Sequence, residues 1–443
     1  MAMKFRGLLI AAVVLLVLAG VLYWSEHRKT PDTATPAADA SPAILKIDPA
    51  TVASLTLTQK GAPPVTLVRS GSAQWQITAP NAYPADSSTV SGMLSNLAPL
   101  TSQRVVEDQS SNLAQFGLSD PSVELDITGK NNKTTHLLLG DDTPTGDAVY
   151  VAVAGDPRIF TAASYTKTSL NKSLSDLRDK RLLPIEASSV SSIDLIRKGQ
   201  DIGFARVQNG WQIEKPKPYR TDNFQVDDLL QQLTSAKWDP SAPAADAAKN
   251  FAHATPVATI KLTGSAGNDT LEIRKDKSDY YAKSSAVAGT WKIDSTTASA
   301  IGQVLDHSLD DFRNKQLFDF GYTDPDKIEY HSAATSLVLT HTGNDWWSNG
   351  KKMDADSVSM FVTGLRDLAA TKFVDSGFTN PEISINITSN SGKKIEKVAI
   401  QKTNDAAIAK REDDPTLYSL DAATINSLTD SIAAIKAAAT SKK

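Results

Sequence analysis

Histidine and acidic residues are the side chains of this chain that could bind a metal ion or transfer protons. The six histidines are dispersed, and their spacing does not match that of a zinc site. His331 and His341 lie on neighbouring predicted strands, so they could approach each other. Adjacent aspartates occur at Asp141 and Asp142, Asp227 and Asp228, Asp310 and Asp311, and Asp413 and Asp414. Because neighbouring residues do not face each other, these pairs favour solvated caps and turns, and we predict no catalytic or metal-binding residues.

A serine nucleophile is the next chemistry that the residues suggest. Ser169 and Lys172 form an S-x-x-K match, which in serine acyltransferases places the lysine one helical turn from the nucleophile. The companion motifs S-D-N and K-T-G are absent from the sequence, as are G-x-S-x-G, the Walker A motif and the glycine fingerprint of dinucleotide-binding proteins. The sequence therefore predicts no nucleotide partner and no cofactor.

Composition excludes several other classes of function. The formal net charge is only -4, so the chain is not the polycation that binds nucleic acid, and we predict no nucleic-acid partner. There is no cysteine, which excludes disulfides, thiol nucleophiles and thiolate zinc sites. With 41% hydrophobic residues, the chain is expected to fold by packing alone.

Basic residues recur in two similar segments, LRDKR and FRNK, at the ends of predicted helices. Basic side chains there could complement the dipoles of the helix C-termini. They could instead form a charged surface that docks a partner or the next part of the chain. The four candidate docking residues are Arg178, Lys180, Arg313 and Lys315.

Tryptophans recur at one constant spacing, as Trp75, Trp211 and Trp347. Exposed tryptophans would be typical of a carbohydrate-binding protein. One tryptophan in the same strand of each copy is more typical of a core residue, so we predict that all three are buried.

Residues 7–25 are predicted to form a transmembrane anchor. The run from Gly7 to Trp24 has no charge and spans about 27 Å as a helix, close to the roughly 30 Å of a hydrocarbon core. Aromatic residues at its end suit the headgroup layer. The predicted anchor side chains are Leu8, Leu9, Ile10, Val13, Val14, Leu15, Leu16, Val17, Leu18, Val21, Leu22, Tyr23 and Trp24.

The charges around this segment predict its orientation. Lys4 and Arg6 precede it, so residues 1–6 are expected in the cytoplasm. A cleaved signal peptide is the alternative, but bulky residues occupy the place of its small-residue cleavage site. Residues 26–43, rich in Pro, Ala and Thr, follow as a tether. We therefore expect a single-pass inner-membrane protein with its bulk in the periplasm.

Internal similarity predicts three tandem modules. The stretch WQITAPNAYPADSSTVSGMLSNL reappears as WQIEKPKPYRTDNFQVDDLLQQL, and a looser third copy surrounds Trp347. The predicted modules are residues 44–184, 185–318 and 319–443. Repeats of this length can each own a hydrophobic core, so we treat them as domains and not as turns of a solenoid.

Each module is predicted to combine an antiparallel sheet with amphipathic helices, which is the α+β class. Segments that alternate apolar and polar residues, such as Leu55 to Leu57, indicate half-buried strands. Asp86, Asp222 and either Asp354 or Asp356 are expected to cap the first long helices. The apolar stripes of those helices are Val90, Met93, Leu94 and Leu97; Val226, Leu229, Leu230 and Leu233; and Val358, Phe361, Val362 and Leu365.

Several of these motifs together resemble the bacterial domain-of-unknown-function 4340 family. They are Trp75 to Ile77, Tyr83 with Asp86, Gly117 to Pro121, Leu137 to Tyr150, and Leu177 to Leu182. The resemblance is best in the first module and weakest in the third, which lacks the arginine closing motif. It implies a membrane-anchored extracytoplasmic component, often paired with an ABC-type exporter and its gliding-motility-type auxiliary subunit. It supplies no catalytic residues.

The expected function is therefore that of a non-enzymatic accessory or scaffold protein of an ABC-type transport system. Its expected partners are membrane lipid and the permease and auxiliary subunits of the transporter. A protein that binds envelope glycans is the alternative, and an envelope hydrolase with an unusual site is the least favoured hypothesis.

Overall fold

The computed structural model describes residues 42–265, 267–403 and 406–438. These residues form one large antiparallel sheet with helices for each predicted module. The predicted α+β class with antiparallel sheets is thus confirmed. The chain divides into two compact units, the first ending at Asp179 and the second beginning at Lys180. The second unit therefore contains the second and third modules.

The first module contains one large sheet and a separate pair of strands. Its strands are β1 (Ala43–Lys46), β2 (Val52–Gln59), β3 (Val65–Arg69), β4 (Trp75–Ala79), β5 (Tyr83–Pro84), β6 (Pro99–Thr101), β7 (Arg104–Glu107), β8 (Val123–Gly129), β9 (Thr134–Asp142), β10 (Ala148–Val153) and β11 (Ile159–Ala163). Its helices are α1 (Ser87–Leu97), α2 (Tyr165–Leu170) and α3 (Leu174–Leu177). The sheet order is β5-β4-β3-β2-β8-β9-β10-β11-β7, and β1 pairs with β6.

The second module repeats this plan with fewer strands. They are β12 (Val190–Arg197), β13 (Gln200–Val207), β14 (Gly210–Lys215), β15 (Thr255–Gly264), β16 (Gly267–Asp276), β17 (Asp279–Ser284) and β18 (Thr290–Lys292). The helices are α4 (Asn223–Ser235), α5 (Ala244–His253), α6 (Ser295–Asp306) and α7 (Leu309–Phe312). The sheet order is β14-β13-β12-β15-β16-β17-β18.

The third module restores the longer sheet. Its strands are β19 (Lys327–Ser332), β20 (Ser336–Thr342), β21 (Asp345–Ser348), β22 (Lys351–Lys352), β23 (Lys372–Val374), β24 (Ile383–Ser389), β25 (Lys394–Lys402), β26 (Ala406–Arg411) and β27 (Leu417–Asp421). Its helices are α8 (Ala355–Arg366) and α9 (Ala422–Ala433). The order is β22-β21-β20-β19-β24-β25-β26-β27-β23.

The three sheets share a central antiparallel pair, formed by β2 with β8, β12 with β15, and β19 with β24. The register of these pairs places apolar residues opposite each other, as in Leu57 with Leu125 and Tyr330 with Ile385. Such residues are buried, in agreement with the alternating pattern of the sequence. Each module consequently has a hydrophobic core of its own.

The helices α1, α4 and α8 close the cores, and the sequence predicted them well. Asp86, Asp222 and Asp354 are the N-caps, and each accepts hydrogen bonds from backbone N–H groups of the first turn. All the predicted stripe residues of the three helices are buried. These predictions are confirmed because capping and a helical apolar period are both local signals.

An entry segment with two buried apolar residues joins each module from its N-terminal side. In the first module the segment is β1, and it pairs with β6. In the second and third modules the entry segment pairs through a single antiparallel β-bridge. These bridges join Arg181 with Lys237 and Gln316 with Ala369. The buried pairs are Ile44 and Leu45, Leu182 and Leu183, and Leu317 and Phe318.

An exit bridge ends each module after its closing helices. The residue before each N-cap aspartate pairs with the residue that leaves the module, as Ala85 with Arg178, Thr221 with Arg313, and Met353 with Ala437. In the second unit the exit bridge at Arg313 and the entry bridge at Gln316 are close in sequence. The second module therefore passes into the third without a flexible linker.

Candidate functional site

The predicted docking residue Arg313 lies where the second module contacts the third. Its guanidinium group stacks between Tyr219 of the second module, at 4.0 Å from the ring centroid, and Phe373 of the third, at 3.6 Å. It also donates to Asp310 Oδ1 at 2.9 Å and to Thr416 Oγ1 at 3.2 Å. Arg313 is only 8% exposed, so a planar cation is held between two aromatic faces away from bulk water.

The other three predicted docking residues are half-buried. The guanidinium group of Arg178 lies 4.2 Å from the ring centroid of Tyr83, the same pairing that Arg313 makes with Tyr219. Lys180 and Lys315 contribute their backbone carbonyls, which accept hydrogen bonds in the entry bridges at 3.0 and 2.8 Å. Docking of an external partner by these four residues stays a prediction.

A second arginine, Arg220, ties the same junction together. Its Nη1 donates to the carbonyl of Gln316 at 2.6 Å and to the hydroxyl of Tyr418 at 3.0 Å, and its Nη2 pairs with Asp319. The hydroxyl of Tyr418 in turn donates to Asp414 Oδ2 at 2.6 Å. Arg220 belongs to the second module and Tyr418 to the third, so the hydrogen bonds connect the two cores.

Arg411 is an almost completely buried charge of the junction, with only 3% of its surface exposed. It binds both carboxylate oxygens of Asp413 at 2.8 Å and Glu396 Oε1 at 3.2 Å, and it donates to the carbonyl of Leu317. Glu396 Oε1 also accepts the backbone N–H of Asp319 at 2.8 Å. The entry segment of the third module is thus held by side chains as well as by main-chain pairing.

The environment of this junction shifts several pKa values. Burial raises the pKa of Tyr418 to about 12, although the cation of Arg220 acts in the opposite direction. Burial would raise the pKa of Asp414, but hydrogen bonds from Tyr418 and Thr416 outweigh it and hold the pKa below its usual value. The hydrogen bond from Arg411 lowers the pKa of Asp413. The expectation of a solvated turn residue is wrong for Asp414, which is buried, whereas Asp413 is exposed.

Among the described residues, one group of three side chains has the geometry to hold a metal ion, and sequence reasoning missed it. Glu124 and Asp126 point to the same face of β8, and His136 on β9 is the cross-strand partner of Asp126. His136 Nδ1 lies 2.5 Å from Asp126 Oδ1. The three ligand atoms lie within 4.8 Å of one another, so they could hold a divalent cation, but the histidine and aspartate also satisfy each other as an exposed pair.

His331 and His341 do not approach each other, so the expectation that they might is wrong. His331 is paired with Ser336 at one end of the hairpin of β19 and β20, whereas His341 is paired with Trp346 at the other end. The imidazole of His341 stacks on Trp346 at 4.7 Å between ring centroids.

The tryptophans are core residues in the first two modules. Trp75 and Trp211 are each 3% exposed, which confirms the predicted burial. Trp347 is 38% exposed and the neighbouring Trp346 is 5% exposed, so the prediction for Trp347 is wrong by one residue. The cause is the period of a strand, in which consecutive side chains point to opposite faces.

The predicted anchor of residues 7–25, with its flanking residues 1–6 and most of the tether at 26–43, lies outside the described residues. Within the described part of the chain, no helix has both the length and the apolar character needed to span a membrane. The anchor stays a prediction from the sequence.

The fold and the junction define a class of repeated α+β modules joined by short buried segments. Residues 75–218 and 211–384 match the family described as Domain of unknown function (DUF4340), and the chain belongs to this family. No curated protein matches the chain in a sequence search.

Among solved structures, two DNA polymerase sliding clamps from Pseudomonas aeruginosa are similar over most of their length. One, crystallised with a ligand, is 10% identical, with 86% of this chain and 93% of the clamp covered at a TM-score of 0.16. The other is 9% identical, with 84% and 91% covered at a TM-score of 0.17. Similarity at this level says nothing about function.

Replacement of Arg411 by methionine should destabilise the chain by about 3 kcal/mol, because the buried Glu396 would lose its contact with Arg411 and keep only its pairing with the half-exposed Lys394 at 3.4 Å. Urea unfolding followed by tryptophan fluorescence measures the loss. Lys397→Met on the neighbouring strand is the matched control. Its ion pair with Glu412 is exposed, so the loss should stay below about 1 kcal/mol. Equal losses in the two variants would contradict the role of the buried network.

Because the pKa of Tyr418 is raised, the stability of the second unit should vary with pH in the alkaline range. The folded state holds this proton more tightly than the unfolded state, so stability should fall as pH rises from 10 to about 12. Thermal unfolding at several pH values should show this decrease, and Tyr418→Phe should remove its share of it. A Tyr418→Phe chain with an unchanged alkaline slope would count against this assignment.

Proposed function

We propose that this chain is a non-enzymatic accessory or scaffold protein of the bacterial cell envelope. It is held in the inner membrane by residues 7–25, with its N-terminus in the cytoplasm and its modules in the periplasm. The observation that carries the scaffold role is the junction between the second and third modules. Main-chain bridges, aromatic stacking on Arg313 and the bonds of Arg411 fix one module to the next.

A fixed joint serves positioning better than catalysis. Domains that move to open and close a site meet through small, polar contacts and hinges. Here Arg313 is buried between aromatic rings of both modules, and the apolar pair Leu317 and Phe318 is buried in the third core. Such a unit holds whatever binds its two modules in a fixed relative position.

The proposed partner is an ABC-type transporter of the gliding type, with its permease and auxiliary subunits. The support for this partner is the family resemblance together with the anchor predicted from Leu8 to Trp24. In this proposal the anchor packs against transporter helices and lipid, and the modules extend the complex into the periplasm.

Affinity purification from native membranes tests the proposed partner. The tagged chain should recover transporter subunits from mild detergent, as identified by mass spectrometry. A variant with residues 7–25 replaced by an unrelated transmembrane helix separates the two contributions. It should lose most of the recovered permease if the anchor makes the contact. Repeated recovery of the intact chain alone would overturn the proposal.

Binding of an envelope glycan is the second candidate function, and the exposed Trp347 is the observation that favours it. Trp347→Ala should abolish retention on immobilised peptidoglycan or polysaccharide if its indole stacks on a sugar. The fold should survive, because this side chain lies on the outer face of the sheet. Trp211→Ala is the contrasting variant, since its core position predicts loss of folding. Unchanged retention by Trp347→Ala would remove this candidate.

A further inference from the structure

The third module contains an open cavity of about 660 Å³ beside a strand end where the first and second modules each have a longer side chain. It lies between the closing helix α9 and the turn that links β19 to β20. Its floor is largely apolar and its rim is polar. The residues used below are Tyr330, Ser332, Thr335, Glu382, Lys402 and Ile432.

The second module shows what occupies the corresponding place. Arg197 ends β12 as Ser332 ends β19, and each follows the central strand of its sheet into a tight turn. The guanidinium group of Arg197 donates to the carbonyl of Leu305, in the last turn of α6, and to Gln200 Oε1 at 2.6 Å. Leu305 corresponds to Ile432, because α6 and α9 both have 12 residues and both begin after an aspartate cap.

The first module uses a similar side chain at the same position. Gln59 ends β2, and its amide donates to Asn171, which directly follows the closing helix α2. In the third module the short Ser332 only reaches the carbonyl of Thr335 within its own turn, at 3.4 Å. The space beside the end of α9 is consequently left open.

Three features of the open space favour a cation. The C-terminal end of α9 is electronegative, as is that of any helix. Tyr330 lines the cavity where the second module has Leu195, and an aromatic ring attracts a cation. Glu382 adds a carboxylate at the rim. Lys402 opposes a cation but is exposed, and the second module has a lysine at the same place, Lys275, together with Arg197 and the nearby carboxylate of Asp306.

We propose that this cavity binds an alkylguanidinium group, as carried by an arginine side chain of a partner protein. The alkyl stem would lie on the apolar floor at Ile432, and the guanidinium group would face Tyr330 and Glu382. The third module would thereby take from a partner the group that Arg197 supplies within the second module. This inference does not depend on the proposed transporter or on glycan binding.

Calorimetric titration of the intact chain with N-acetyl-L-arginine methylamide tests this proposal. We expect saturable binding with a Kd on the order of 1 mM or lower, as is usual for a ligand of this size. The citrulline analogue has nearly the same shape without the charge, so it should bind at least tenfold more weakly. Free arginine, which carries two further charges, is titrated in parallel. Tighter binding of the N-acetyl methylamide derivative would indicate that the cavity takes a peptide-borne arginine and not the free amino acid. Equal binding of citrulline and arginine derivatives would overturn the proposal.

Two variants locate the binding. Ser332→Arg should restore the arrangement of the second module, raise the melting temperature and abolish binding. Thr340→Arg puts the same group on the exposed outer face of the same hairpin and should leave binding unchanged. Glu382→Gln is exposed and should fold normally, so it keeps the test decisive if Ser332→Arg does not fold. Full arginine binding by Glu382→Gln and Ser332→Arg would place the site elsewhere.

Discussion

The structure of the second unit depends on hydrogen bonds that the main chain makes between its two modules. The segment from Arg313 to Phe318 leaves one core and enters the next, and its buried N–H and C=O groups must find partners. Backbone pairing with Thr221 on one side and Ala369 on the other provides them. Because the two pairings share one short segment, with only Asn314 and Lys315 between them, the two modules have little room to separate. The compactness of the second unit follows from this sharing.

The sequence predicted the structural features that depend on residues within a single module. The apolar stripe from Val226 to Leu233 and the cap at Asp222 are local signals, and the structure contains both. Trp347 shows the limit of such signals, because a third copy with a deletion was aligned by its tryptophan. In a strand an error of one residue exchanges the buried and exposed faces, and Trp346 is the residue in the core.

The junction could be predicted only in part. The arginine motif drew attention to Arg313, but nothing local indicated that its partners would be Tyr219 and Phe373. Asp413 and Asp414 looked like an ordinary turn after a strand. Arg411 and Asp414 are nevertheless buried, and Arg411 donates to the carbonyl of Leu317 in the entry segment of the third module, which is a property of the tertiary fold. The cluster of Glu124, Asp126 and His136 was missed for a different reason, since it depends on the register of one hairpin, which places His136 opposite Asp126.

Because the three modules are similar, the third module must distinguish the second module from the first as its neighbour. Apolar entry pairs such as Leu182 with Leu183 and Leu317 with Phe318 differ little in shape, so apolar burial alone discriminates weakly between them. Buried ion pairs add little net stability, but an unpaired buried charge is strongly unfavourable. The first module has Pro84 at the place of Arg220, so pairing it with the third module would leave Asp319 and Tyr418 without the guanidinium group that they contact. The polar network of the junction therefore contributes most to the specificity of module pairing, while the apolar cores supply most of the stability.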